Sequence, residues 1–440
     1  MGDHCFTVHA GTYFDPKTKS FRNNVSLTID PKRGCIVHVA DRPSTSCDIQ
    51  DGDIDLRRKI VMPGFVDAHT HIFLHSYAER PAQSQMRDES IIERTIRASN
   101  HCRRALLSGY TTYRDLGTEG MQSFDANLRD SINRDLLPGP RLFVATEALC
   151  SSGSYEVRSE NRANGDTPPR ISNTCDGVDG VRRAVRRRVG AGADIIKFYA
   201  DYRRQAMRFP SGLDPISFLP AEHNPARVMF SQDEMHAMVS EAKLANLPIA
   251  CHAGSLAGAM MAARAGVTTI EHGHEASPDL FREMKRNNVL FVPTLAVVEA
   301  ISPAALPEAL RTAKLAFDQG VRMAAGGDTG AFNHGEGARE TELLMQAGIP
   351  VEDALEMVTL AGWEACGGDR CGFRFGWFEA GNRADIIALD SDPRTDAQAL
   401  RKVGFVMKDG KVWKRDGIPV GFIDIMMQDA GHTDPSWQLV

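Results

Sequence analysis

QDEMHAMVSEAKLANLPIACHAG, Gln232 to Gly254, couples a helix-like segment to a short apolar run that ends in a histidine. The same unit recurs downstream. TTIEHG (268–273) reads as a strand, SPDLFREMKRNN (277–288) as a helix and VLFVPTL (289–295) as the next strand. Upstream, KIVMPGFVDAHTH (59–71), YTTYRDL (110–116), RLFVATEAL (141–149) and ADIIKFYA (193–200) belong to the same series, and RMAAGGDTG (322–330) closes it. Eight strands alternating with helical patterns over about 300 residues predict an α/β chain with a (β/α)8, TIM-like barrel.

The two ends of the chain have a different character. FTVHAGTYF, NNVSLTID and GCIVHVA near the start, and ADIIALD, KVGFVMKDG and KVWKRDG near the end, read as β strands separated by turn residues. The Asp-Gly inside KDGKVW signals a hairpin. Residues 1–60 and 378–420 are expected to form one small β-sandwich domain, with 61–377 as the barrel and 421–440 as a C-terminal tail. Two long loops, near 150–176 and 201–230, follow strands and are expected over the barrel mouth as lids or binding loops.

Composition narrows the class. The chain has 440 residues, 42% hydrophobic and 25% charged, with a net charge of −6, so no nucleic-acid or anionic-membrane partner is called for. The basic run VRRAVRRRV (181–189) places its valines at i, i+4 and i+8, the pattern of an amphipathic helix with a solvated arginine face. No run is long and apolar enough to span a membrane, and the N-terminal residues lack a secretory signal pattern. Nine scattered cysteines without a CxxC pair fit a reducing, cytoplasmic setting, with Cys366 and Cys371 as structural thiols.

His69 and His71 stand two apart at the end of a predicted strand, so both imidazoles face one side. In such barrels the chemistry lies at the C-terminal ends of the strands. There stand Lys197 in ADIIKFY, His252 in IACHAG, His272 in TIEHGH and Asp328 in GGDTG. The barrel would converge these six metal-binding or proton-transferring groups on one point. A lysine ammonium donates only and cannot ligate a metal. Burial near divalent cations favours the neutral amine, and that amine can capture carbon dioxide as an anionic carbamate able to bridge two metals.

PGFVDAHTH, IKFY, CHAG, IEHGH and GGDTG together resemble the amidohydrolase superfamily, in its prolidase-like and imidazolonepropionase-like branch, which includes fungal ochratoxinase. AGVTTIEHG, TTYRDLG and the closing GWFEAGNRADIIALD extend the resemblance over most of the chain. The resemblance implies a binuclear site: His69, His71 and Asp328 on one metal, His252 and His272 on the other, carboxylated Lys197 and a hydroxide between them. Zinc is the expected metal, with manganese or cobalt able to substitute. It further implies hydrolysis of the C–N amide bond of an N-acyl amino acid or dipeptide-like small molecule by that hydroxide, with Asp328 as general acid and base. A homo-oligomer is compatible with the family.

For substrate contacts the sequence offers Tyr199 and His274, each two residues past a ligand candidate, His334 in FNHGEGARE, and Arg114, which suits either a substrate carboxylate or an internal acid. His75 reads as a first-turn residue. Relatives carry Gly-Gly-His or Ala-Gly-His after strand three, whereas this chain reads CSSGSY at 150–155. Three alternatives stay open: a deaminase of the same fold, cleavage of a lactone, cyclic imide or other bond on the same site, and a metal-free scaffold. Against the deaminase, His252 is followed by Ala-Gly-Ser rather than by a nearby catalytic glutamate.

Overall fold

The computed structural model describes residues 4–154, 172–203, 226–396 and 398–421. The expected tail and most of the two expected long loops lie outside the described residues. The chain opens with β1 (Phe6–Asp15), β2 (Ser20–Asp30), β3 (Cys35–Asp41) and β4 (Ile54–Pro63). The apolar run predicted as one strand from Lys59 then divides between two sheets. It breaks at Gly64, and β5 (Phe65–Thr70) starts the barrel. A Cβ at Gly64 would meet Thr111 Oγ1 at 2.2 Å, so the crossing requires glycine.

The barrel continues with β6 (Tyr110–Asp115), β7 (Arg141–Val144), β8 (Ala148–Cys150) and β9 (Ser172–Thr174), then β10 (Ile196–Tyr199). A two-stranded ribbon, β11 (Asp201–Arg203) and β12 (Ala226–Val228), follows. Then come β13 (Ile249–Ala253), β14 (Thr269–His272) and β15 (Leu290–Val292). The third predicted strand is broken into β7 and β8, and Thr146 takes a left-handed φ of 59° between them. β7 stays with β6, while β8 pairs in parallel with β10.

The eighth predicted strand forms no continuous ladder. Gly326, Gly327 and a left-handed Asp328 interrupt it. Isolated parallel bridges Phe291↔Met323 and Thr70↔Thr329, with Ala68 N–H donating to Ala325 O, still close the ring between β15 and β5. Asp67 pins this closure. Its carboxylate accepts from the backbone N–H of His69 (3.1 Å) and Gly327 (3.2 Å) and from Thr329 Oγ1 (2.7 Å).

Helices pack outside. The pattern read from Gln232 is a helix, Gln232–Leu244, started by a Ser231–Glu234 capping box. The helix Gly177–Gly190 buries Val181 and Val185, and Arg182 and Arg186 reach Glu241 on the next helix.

The chain returns in β16 (Ile386–Leu389), β17 (Val403–Lys408), β18 (Lys411–Arg415) and β19 (Ile418–Pro419). These strands join the first four in one eight-stranded sheet, with β16 against β4. The sheet curls into a sandwich-like unit: Cys35 bridges Arg383, and Val25, Leu27, Ile36, Ile386 and Met407 share one core. Asp409 and Gly410, both left-handed, make the turn between β17 and β18. All nine cysteines are free thiols.

Candidate metal centre

β5 carries His69, and His71 follows immediately after it, both buried. The Nε2 atoms of His71 and His69 lie 3.2 and 3.6 Å from Asp328 Oδ1. The rings of His69 and His272 are centred 5.0 Å apart, and those of His272 and His252 4.5 Å. One potential donor atom each from His69, His272 and Asp328 falls within a 4.8 Å cluster. Two of these residues carry backbone strain: φ is 73° at His272 and 62° at Asp328. Each costs of order 1–3 kcal/mol and persists where the surroundings over-determine it. Gly326 makes room beside them, since a Cβ there would lie 2.6 Å from the His69 backbone nitrogen.

The side chains are aimed by a second layer. His69 Nδ1 donates to Glu271 Oε2 at 2.9 Å, and His71 Nδ1 donates to Gly117 O at 2.9 Å. His272 Nδ1 shares a 2.8 Å hydrogen bond with Thr294 Oγ1. With Nδ1 so engaged, Nε2 of His69 and His71 is the atom turned toward Asp328.

Burial sets the charge states. It depresses His69 to about 4, with Lys197 adding to the effect, and holds His252 and His272 well below the ordinary range. These three are neutral imidazoles with a lone pair to give. At His71 burial opposes charge, but Asp328 and Glu119 outweigh it and carry the group up to about 9. Asp328 is held well below the usual carboxylate range despite burial, by His69 and His71. Burial lowers the Lys197 ammonium against the pull of Glu271 and Asp328. Among the described residues its amine has no hydrogen-bond partner, although only 2% of the residue is exposed.

The four histidines, Lys197 and Asp328 line one cavity of about 600 Å³. Tyr199 and His274 line it too, as do Tyr77, Glu119, Asp201 and Tyr202. Its lining also includes an apolar group, Phe291, Pro293, Val297, Val298 and Ile301.

Two sequence candidates are corrected. Arg114 does not reach the cavity. It is fully buried and donates to Ala68 O, Ala365 O, Thr269 Oγ1 and, at 2.7 Å, Glu271 Oε1. An unpaired guanidinium inside the barrel would be prohibitively costly, so it takes an internal acid. His334 is buried away from the cavity, stacked on His101 at 4.2 Å with Nε2 bonded to Leu74 O. His75 pairs with Glu89 at 2.9 Å.

Glu271, Glu119, Asp67 and Thr294 were not singled out from sequence. Glu271 had a visible signal: it is an acid in the apolar strand TTIEHG, matched by a base in YTTYRDL. Charges of opposite sign inside two barrel strands have to find one another.

Known proteins resemble this chain in sequence and fold. The model of the amidohydrolase family matches residues 60–413. Ochratoxinase of Aspergillus niger is 28% identical over 455 residues, covering 93% of this chain and 87% of that protein. The crystal structure of a Xaa-Pro dipeptidase with methionine bound in its active site superposes with a TM-score of 0.75 at 28% identity, covering 93% of this chain and all of the other. A prolidase complexed with N-methylphosphonate-L-proline gives 0.76 at 25% identity, covering 94% of this chain and 100% of the other. A barrel mouth ringed by these histidines, in a chain matched along most of its length, places the protein in the amidohydrolase family.

Proposed function

We propose that this chain, a hydrolase of carbon–nitrogen amide bonds by its family, cleaves a small N-acyl amino acid or dipeptide-like amide. It would do so with two divalent metal ions, zinc by default. His69, His71, His252, His272, Asp328 and a carboxylated Lys197 would hold them. The observation that carries the reading is the donor set itself. Neutral imidazoles, a low-pKa carboxylate and a buried amine without a hydrogen-bond partner among the described residues converge on one cavity. Without cations, a lysine with no hydrogen-bond acceptor among the described residues, beside four histidines, is a poor use of a buried site. Carboxylation would turn that amine into an anionic, two-oxygen donor and remove the conflict.

When bound, divalent ions lower the pKa of water and polarise a carbonyl oxygen. The chain's own groups do the rest. The cavity holds the amide with its apolar part against Phe291, Val297 and Val298. Asp328 stays ionised across the working pH range. It takes the proton as water adds to the carbonyl carbon, and gives it to the nitrogen as the C–N bond breaks. The low basicity of Asp328 makes that second transfer easy. Glu119, within 3.5 Å of His71 Nδ1, helps to balance the positive charge of the mouth. Tyr199 and His274, which line the cavity, would touch substrate.

The test is a panel of N-acyl amino acids, dipeptides, lactones and cyclic amides assayed on metal-supplemented protein. Metal-dependent turnover of open-chain amides, abolished by chelation, supports the reading. Turnover confined to lactones or cyclic amides would replace the proposed substrate class.

A further inference from the structure

We infer that Glu271, clamped by Arg114, is the positioning residue that fixes which nitrogen of His69 faces the site. The inference rests on the metal centre proposed above. Glu271 and Arg114 side chains are both 0% exposed, and neither lines the cavity. Glu271 Oε1 accepts from Arg114 Nη2 at 2.7 Å and from the Thr269 hydroxyl, and Oε2 accepts from His69 Nδ1 at 2.9 Å. Every neighbour hydrogen-bonded to this side chain is a donor. A carboxylate accepts at both ends; the isosteric amide accepts at only one.

The three anchored imidazoles are not anchored alike. His71 Nδ1 donates to a carbonyl, with the Glu119 carboxylate farther off at 3.5 Å, and His272 Nδ1 meets a hydroxyl, while His69 Nδ1 donates directly to a carboxylate at 2.9 Å. A hydroxyl can rotate to serve either tautomer, and a carboxylate cannot. His69 is therefore locked with its proton on Nδ1 and its lone pair on Nε2, the atom aimed at Asp328. Arg114 supplies the second half of the device. It is tied down by two backbone carbonyls, Ala68 O and Ala365 O, so Glu271 cannot rotate away.

In Glu271→Gln the amide oxygen stays with Arg114, the stronger donor, and the NH2 turns to His69. The Nδ1 atom must then accept, and the ring proton moves to Nε2, which can no longer ligate. The first readout is competition of the metal-free protein with a chromophoric chelator for Zn²⁺. One equivalent is expected to weaken about 10–100-fold in Glu271→Gln. The second is ¹⁵N histidine NMR of the metal-free protein, where the His69 signals should report the opposite tautomer. Neither readout requires activity, and a purely structural role would move neither.

Because Glu271→Gln strands a buried guanidinium, Arg114→Met/Glu271→Leu removes both charges and the acceptor for His69 Nδ1 at once, and Glu271→Asp keeps the charge but shortens the reach. Weakened zinc binding in whichever of these folds supports the inference, while wild-type affinity in any folded variant overturns it. Failure of the wild-type protein to bind zinc at all would instead overturn the metal centre on which it rests.

Discussion

Arg114 and Arg141 stand on neighbouring barrel strands, both buried and both facing carboxylates, yet they serve opposite ends of the barrel. Arg141, at the start of β7, donates to Asp385 at 2.7 Å, to Asp409 at 2.5 Å and to Thr112 Oγ1 at 3.0 Å. Asp385 in turn accepts from the Asp409 backbone N–H, and Arg383 also binds Asp409. This network closes on itself and joins the barrel floor to the returning β16–β18 strands. The Arg114–Glu271 network ends on His69, which faces the cavity, beside a lysine with no hydrogen-bond partner among the described residues. The floor spends buried charge on cohesion, whereas the mouth spends it on holding a donor atom in place. That division matches the general split in such barrels between a stabilising face and a chemical one.

Four variants separate the roles of floor and mouth. Lys197→Ala should have the largest effect: metal lost and activity reduced by more than about 100-fold, with partial rescue by small carboxylic acids. Full activity in that variant would rule out a role for the carbamate. Arg141→Met should instead leave Asp385 buried without its cation and cost about 3–5 kcal/mol of stability in denaturant titration. The folded fraction should keep its metal content and turnover; a loss of metal there would erase the distinction between floor and mouth.

A smaller effect is expected from Glu340, whose carboxylate accepts from Ala296 N–H at 2.7 Å at the start of the helix carrying Val297 and Val298. Burial raises Glu340 to about 8. A raised carboxyl stabilises the fold fully below its unfolded pKa of about 4.5, and that contribution is lost as pH rises toward 8. Glu340→Gln should thus flatten the fall of the thermal midpoint over that window; an unchanged slope would place the titration elsewhere. The smallest effect belongs to Arg282→Ala, which removes a solvent-exposed partner of Asp279 and should not shift the melting midpoint measurably.

The pattern of strand ends explains what was legible. His69, His71, Lys197, His252, His272 and Asp328 could be picked out because a barrel brings C-terminal strand ends together whatever the details of packing. Arg114 and His334 could not be placed, since a buried arginine and a substrate-binding arginine look the same in sequence. The breaks at Gly64 and Thr146 were hidden for a related reason. Each falls within a continuous apolar run, and only the choice of neighbouring sheet reveals it. Thr294 became visible only as the partner of His272, which no local motif announces.

The proposed two-metal centre at the barrel mouth is measurable as metal content by elemental analysis. Protein expressed with metal supplementation should carry about two equivalents of a divalent transition metal, removable by chelation together with activity. A protein that is folded and active with no such metal would rule out the two-metal centre.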